Sequence, residues 1–88
     1  MRVEFRGSFA RDLRKIKDRD LRVKIEQAIE LVERAHNLQE IENIKKLRGG
    51  DRYYRIKVDD YRIGLLVVGD QVTFVRCLHR KDVYRYFP

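Results

Sequence analysis

At 88 residues the chain has room for a single domain, residues 1–88, with so thin a core that nearly every apolar position in a periodic pattern is needed for folding. Charged residues at 40% and hydrophobic ones at 43%, with four Phe and five Tyr, describe a folded globule rather than a disordered chain, and the net charge is +7. One cysteine excludes an intrachain disulfide, and two histidines beside it cannot complete a tetrahedral zinc site; with no signal-peptide pattern at Met1–Arg6 and no apolar run longer than Ile63–Val68, a cytoplasmic protein without metal, cofactor or membrane span is expected.

Val3 and Phe5 alternate with charged neighbours and predict a short strand over Arg2–Arg6. Ser8 is placed to cap a helix carrying Phe9, Leu13 and Ile16 on one stripe. After the polar break at Lys17–Asp20, with Asp18 or Asp20 as a cap, a longer stripe follows: Leu21, Ile25, Ala28, Ile29, Val32 and Ala35. Asn37 fits a left-handed position ending that helix. The segment Leu38–Leu47 is ambiguous, although Ile41, Ile44 and Leu47 suit a turn of helix, and Gly49-Gly50 marks a loop. From Tyr53 the period drops to two. Tyr53–Val58, Tyr61–Val68 and Val72–Leu78 read as three strands joined by tight turns at Asp59-Asp60 and near Gly69-Asp70, which makes them antiparallel neighbours. Lys81–Phe87 is either a last helical turn or a loose extension. The expected class is α+β, β-α-α-β-β-β, with a helical hairpin on one face of an antiparallel sheet.

The positive charge is unevenly distributed. Residues 1–43 hold ten Lys/Arg against nine Asp/Glu, residues 44–88 eleven against five. A field confined to one part of a small domain points to a polyanion, with RNA or DNA first. A two-residue loop at Asp59-Asp60 pairs Val58 with Tyr61, Lys57 with Arg62 and Arg55 with Gly64. Paired residues share a face, so Arg55, Lys57 and Arg62 lie together, opposite an apolar face of Tyr54, Ile56, Val58, Tyr61, Ile63 and Leu65. For the next turn a three-residue loop, Gly69-Asp70-Gln71, is preferred. It sets Arg76 opposite Gly64 rather than burying it opposite Ile63, it turns Val75 and Cys77 inward, and it leaves Arg80 near Arg62. Gathering like charges across a sheet is unfavourable by roughly 0.2–1 kcal/mol per pair, so a sequence selected for stability alone would not do it. The cationic face is expected to stay uncovered, with open space at Gly64.

Metal-independent RNA cleavage uses a ribose 2′-hydroxyl as nucleophile on the adjacent phosphate. It needs a base near that oxygen, positive charge on the phosphorane and a proton for the leaving 5′-oxygen. Arg is always protonated and cannot be the base. Lys can be where neighbouring cations favour its neutral form, and Lys57 between Arg55 and Arg62 has that setting. Arg62 and Arg80 would grip the phosphate as bidentate forks, and Tyr84 would stack on a base or orient a proton. His79 is the competing acid–base group and Arg76 a secondary cation. Cys77 reads as a core residue because no third orienting group accompanies the Cys77–His79 pair, and Asp59-Asp60 reads as a turn.

The strings Lys46-Leu47-Arg48-Gly49, Tyr54-Arg55-Ile56-Lys57-Val58, Asp60-Tyr61-Arg62-Ile63 and Leu78-His79-Arg80-Lys81-Asp82-Val83-Tyr84 together resemble the RelE/ParE toxin superfamily over nearly the whole chain. The C-terminal ending is most similar to its archaeal and cyanobacterial RelE-like branch. The resemblance implies a RelE-like microbial ribonuclease fold. It also implies a type II toxin that cleaves messenger RNA in the ribosomal A site and is neutralised by a cognate antitoxin. It assigns catalytic roles to Arg55, Lys57, Arg62, Arg80 and Tyr84. The chain departs from the enterobacterial pattern, with Arg55 where Lys is usual and a shorter segment between Arg80 and Tyr84. Some relatives use a C-terminal histidine, which keeps His79 as an alternative base. The rival readings are a ParE-like toxin that poisons DNA gyrase by binding it, and a nucleic-acid-binding module without chemistry.

Overall fold

The computed structural model describes all 88 residues, in the order β1 (Arg2–Phe5), α1 (Gly7–Arg14), α2 (Arg19–Arg34), a 3₁₀ turn (Leu38–Glu40), β2 (Ile44–Lys46), β3 (Tyr53–Val58), β4 (Tyr61–Val68), β5 (Gln71–His79) and α3 (Val83–Tyr86). The α+β class and the helical hairpin agree with the sequence reading. The strands form one sheet in the order β1-β5-β4-β3-β2. Every neighbouring pair is antiparallel except β1 and β5, which run parallel because the two helices carry the chain from one sheet edge to the other. No helix is long and apolar enough to cross a membrane.

Asp18 caps α2 as expected, its carboxylate accepting from the Leu21 N–H at 3.2 Å. Ser8 does not cap α1. The helix starts at Gly7, one residue before it, with extended Arg6 as N-cap, and the Ser8 hydroxyl donates instead to the Val75 carbonyl at 2.6 Å. Asn37 is not left-handed either, at φ −155°. The end of α2 has another partner: the Met1 ammonium donates to the carbonyls of Val32, Glu33 and Ala35, a cation where the helix dipole is negative.

The stretch after α2 is not the helical turn that Ile41, Ile44 and Leu47 suggested. A three-residue 3₁₀ turn is followed by Asn43 at φ 62°, a conformation Asn tolerates, and then by β2. Spacings of three do not separate a helix from a strand that serves both faces. Ile44 packs on the larger core and Leu47 on the smaller one across the sheet.

The β3–β4 hairpin has the expected register: Val58 with Tyr61, Lys57 with Arg62, Arg55 with Gly64. The β4–β5 hairpin reaches the expected pairing of Gly64 with Arg76 by another route. Its loop is two residues long, Val68 facing Gln71, and the register then shifts between Leu65↔Phe74 and Gly64↔Arg76. Val75 is the extra residue of a β-bulge. Cys77 therefore points into the main core, but Val75 turns to the opposite face.

Fourteen buried residues, among them Phe9, Ile25, Val32, Ile63, Leu65 and Phe74, form the main core between the sheet and the α1–α2 hairpin. The other face carries a second cluster of four: Leu47, Val75, Val83 and Phe87. The tail is thus a helical turn that packs on the sheet rather than a loose extension.

Candidate active site

The sheet register brings the expected cations into adjacent rows. Lys57 faces Arg62 across β3 and β4, and Arg55 faces Gly64 one row along. Lys45 of β2 extends that row opposite Arg55, a cation that went unassigned while β2 was unrecognised.

The β3–β4 turn ties down two of the arginines. Arg62 Nη1 donates to the carbonyls of Asp59 and Tyr61, each at 2.9 Å. The Arg80 amide donates to the Asp60 carbonyl at 2.7 Å, and its Nε lies 3.7 Å from the Asp60 carboxylate. That pair is exposed, so its attraction is screened and an incoming phosphate competes with it at little cost. Lys57 is exposed and enters no ion pair. Lys57, Arg62 and Arg80 therefore share the turn end of the sheet with their charged groups available. Arg55 is tied to the β2 side of the sheet: Nη1 donates to the Asn43 carbonyl at 2.9 Å, while Nε is buried without a partner.

Tyr84 is 62% exposed on α3 and lines a 490 Å³ groove with Lys45, Leu47, Arg48 and Phe87. It lies toward β2, away from the turn that holds Arg80. His79 accepts from the Lys81 N–H at Nδ1 (3.1 Å) and sets its ring edge-on to Tyr61, 5.5 Å between centroids. Its pairing with Tyr61 puts His79 on the side of the sheet that the helices cover, across from the face of Lys57 and Arg62.

Arg76 is not a free cation. Its Nε and Nη2 donate to the Asp12 carboxylate at 2.8 and 3.2 Å, and these hydrogen bonds hold its guanidinium charged above its ordinary range despite burial. Asp12 is 6% exposed and also accepts from the Cys77 N–H at 2.9 Å. The sequence does hold a signal for this: Asp12 falls at i+3 on the Phe9–Leu13–Ile16 stripe, and a carboxylate on a buried stripe needs a donor. The Cys77 thiol is pushed up to about 12, first by burial and then by the negative charge of Asp12, so it is no nucleophile.

Gly64 does not leave open space. A Cβ there would lie 2.7 Å from the Phe87 ring, which occupies the middle of this face, edge-on to Tyr53 at 5.6 Å between centroids. The cations form a rim around a small aromatic cover. Phe87 was not singled out from sequence, since nothing local links a penultimate Phe to a glycine in a strand.

Residues 3–84 match the model of the ParE toxin of type II toxin–antitoxin systems. Over 89 aligned residues, covering all of both chains, the sequence is 42% identical to toxin RelE3 of Methanocaldococcus jannaschii. The fold superposes on a toxin–antitoxin complex, RelB–RelE of Methanococcus jannaschii, with a TM-score of 0.81 at 40% identity, covering 98% of this chain and 100% of that one. An archaeal RelE–RelB complex from Pyrococcus horikoshii OT3 matches at a TM-score of 0.73 and 17% identity, covering 93% and 97%, which is a likeness of fold alone.

Proposed function

The chain belongs to the RelE/ParE family of type II toxins, and from that premise we propose that it is a metal-independent endoribonuclease acting on messenger RNA in the ribosomal A site. The observation that supports this reading is the placement of Lys57, Arg62 and Arg80 at one end of the sheet, two of them oriented by carbonyls of a single turn. A toxin acting only by binding has no need to assemble like charges in this way.

In this reading Arg62 and Arg80 hold the scissile phosphate and neutralise the charge that grows on its oxygens. Lys57, unpaired, takes the proton as the 2′-oxygen attacks phosphorus, forming the 2′,3′-cyclic phosphate as the bond to the 5′-oxygen breaks. The leaving 5′-oxygen takes its proton from solvent, since His79 pairs with Tyr61 on the helix-covered side of the sheet. Arg55, pinned to Asn43, supplies fixed positive charge in the second row. Tyr84 and the groove beside it give an unstacked base an aromatic surface. Arg76 has no part in holding phosphate, because Asp12 already answers its charge. The partner that restrains the toxin is a cognate antitoxin, as in the RelB–RelE complexes, and it acts by covering the cationic rim.

The test is purified protein in a translating extract, with cuts mapped by primer extension. Cuts inside A-site codons are expected. Arg80→Ala and Arg62→Ala should each lower cleavage by about 100-fold or more, the scale of losing one charge-stabilising donor, with the melting temperature unchanged. Lys57→Ala should slow cleavage far more than it weakens ribosome binding; equal effects would reduce Lys57 to an electrostatic contact. If neither arginine matters and gyrase supercoiling is inhibited instead, the ParE-like reading replaces this one.

A further inference from the structure

β1 ends at Phe5, paired with Phe74, so beyond that point the outer edge of β5 has no strand beside it. Groups from α1 and its N-cap take over the pairing. The Arg6 N–H donates to the Phe74 carbonyl at 3.0 Å, the Ser8 hydroxyl donates to the Val75 carbonyl, and the Asp12 carboxylate accepts from the Cys77 N–H. These contacts bracket the bulge. Asp12 also grips Arg76, the residue whose face the bulge decides.

The alternative state is a defined one. With the same Gly69-Asp70 turn and no bulge, the Val68↔Gln71 ladder would run on to pair Ile63 with Arg76 and Tyr61 with Leu78. A slip of one residue turns every side chain after Val75 to the other face. Arg76 would enter the main core, and Arg80 would leave its place at the Asp60 carbonyl.

We propose that Asp12 is a positioning residue, with Ser8 as its helper: from α1 they select the bulged register of β5 and thereby deliver Arg80 to the phosphate-binding end of the sheet. Only the last clause rests on the nuclease reading above; the choice of register stands by itself. Arg76 is then the internal sensor of register, since its charge finds Asp12 only when Val75 is looped out.

The test uses isotope-labelled full-length protein and cross-strand NOEs. Wild type should show the Gly64–Arg76 pairing. In Asp12→Ala this pairing should be lost, with faster exchange of the Cys77 amide and cleavage reduced to the level of Arg80→Ala. Deleting Val75 from Asp12→Ala removes the residue that must be looped out, so the unbroken ladder again pairs Gly64 with Arg76. That double variant should regain the wild-type pairing and part of the cleavage, which a merely structural or charge role for Asp12 would not allow. The proposal is overturned if folded Asp12→Ala keeps the Gly64–Arg76 pairing. It is equally overturned if Asp12→Ala is unfolded and the Val75 deletion fails to restore a fold with that pairing. If pairing responds as expected but wild type cuts no RNA, the register assignment holds and the nuclease reading falls.

Discussion

One face of the sheet is covered by α1 and α2, eight and sixteen residues long, and the other by α3, only four. The first face alternates cleanly along β3 and β4, and its charged residues are excluded apart from the Asp12–Arg76 pair at its margin. The second mixes Tyr53, Leu66 and Leu78 with Arg55, Lys57 and Arg62, and a single turn of helix seals only its centre. The difference shows how an 88-residue chain can have both a core and a working surface. Full cover on one side supplies the stability, and partial cover on the other leaves a rim of cations in water, where a phosphate can reach them.

The largest test of that contrast is a cavity on each side. Phe74 is fully buried in the main core against Phe9 and Phe5, and Phe74→Ala should lower stability by about 3–5 kcal/mol, enough to unfold much of a domain this small. Phe87→Ala removes the same ring from a four-residue cluster at the chain end. It should release α3 while the far-UV signal and the main thermal transition persist. Equal losses of melting temperature in the two variants would mean that the faces fold as one unit and the contrast is wrong.

The clean face is also the one the sequence announced. Period-two alternation from Tyr53 onward and a two-residue turn were enough to pair Lys57 with Arg62 and Arg55 with Gly64, because one buried face penalises every other register. The mixed face was legible only in its cations. Its cover depends on Phe87 meeting Gly64 from 23 residues away in the chain, and no local pattern encodes that contact. Arg76 was given the right neighbour by a wrong loop. The penalty for burying an unpaired arginine points to the right neighbour, whereas the bulge that produces it is contacted by Ser8 and Asp12, more than sixty residues earlier. β2 was missed because three residues are too few to show a period.

A smaller effect sharpens the account of the partial cover. Gly64→Ala places a methyl group 2.7 Å from the Phe87 ring, tighter than side chains tolerate, and the neighbour that must yield is a short tail rather than a packed core. A cost of about 1–3 kcal/mol is expected, confined to the tail and visible as faster proteolysis of residues 81–88. Cleavage should fall as well, since Tyr84 and the groove it lines move with the tail. Loss of the tail's protection with cleavage intact would show that the cationic rim alone suffices.

The smallest effect tests how dry the fully covered face is. Cys77 titrates near 9.0 in an unfolded chain and near 12 when buried, so the native state keeps its proton where the unfolded state releases it. Below pH 9 both states are protonated and the thiol contributes no pH dependence. As pH rises from 9 toward 12 the unfolded chain gains an ionised thiolate, and stability declines with a slope set by one proton. Denaturant titrations at pH 8 and pH 10.5 should therefore show wild type losing at most about 2 kcal/mol more than Cys77→Ala over that interval, with Lys and Tyr contributions common to both. Thiol reagents at pH 8 should leave native Cys77 unmodified. Ready alkylation, or parallel pH profiles for the two proteins, would mean that water reaches the main core at the site where Asp12 holds the bulge.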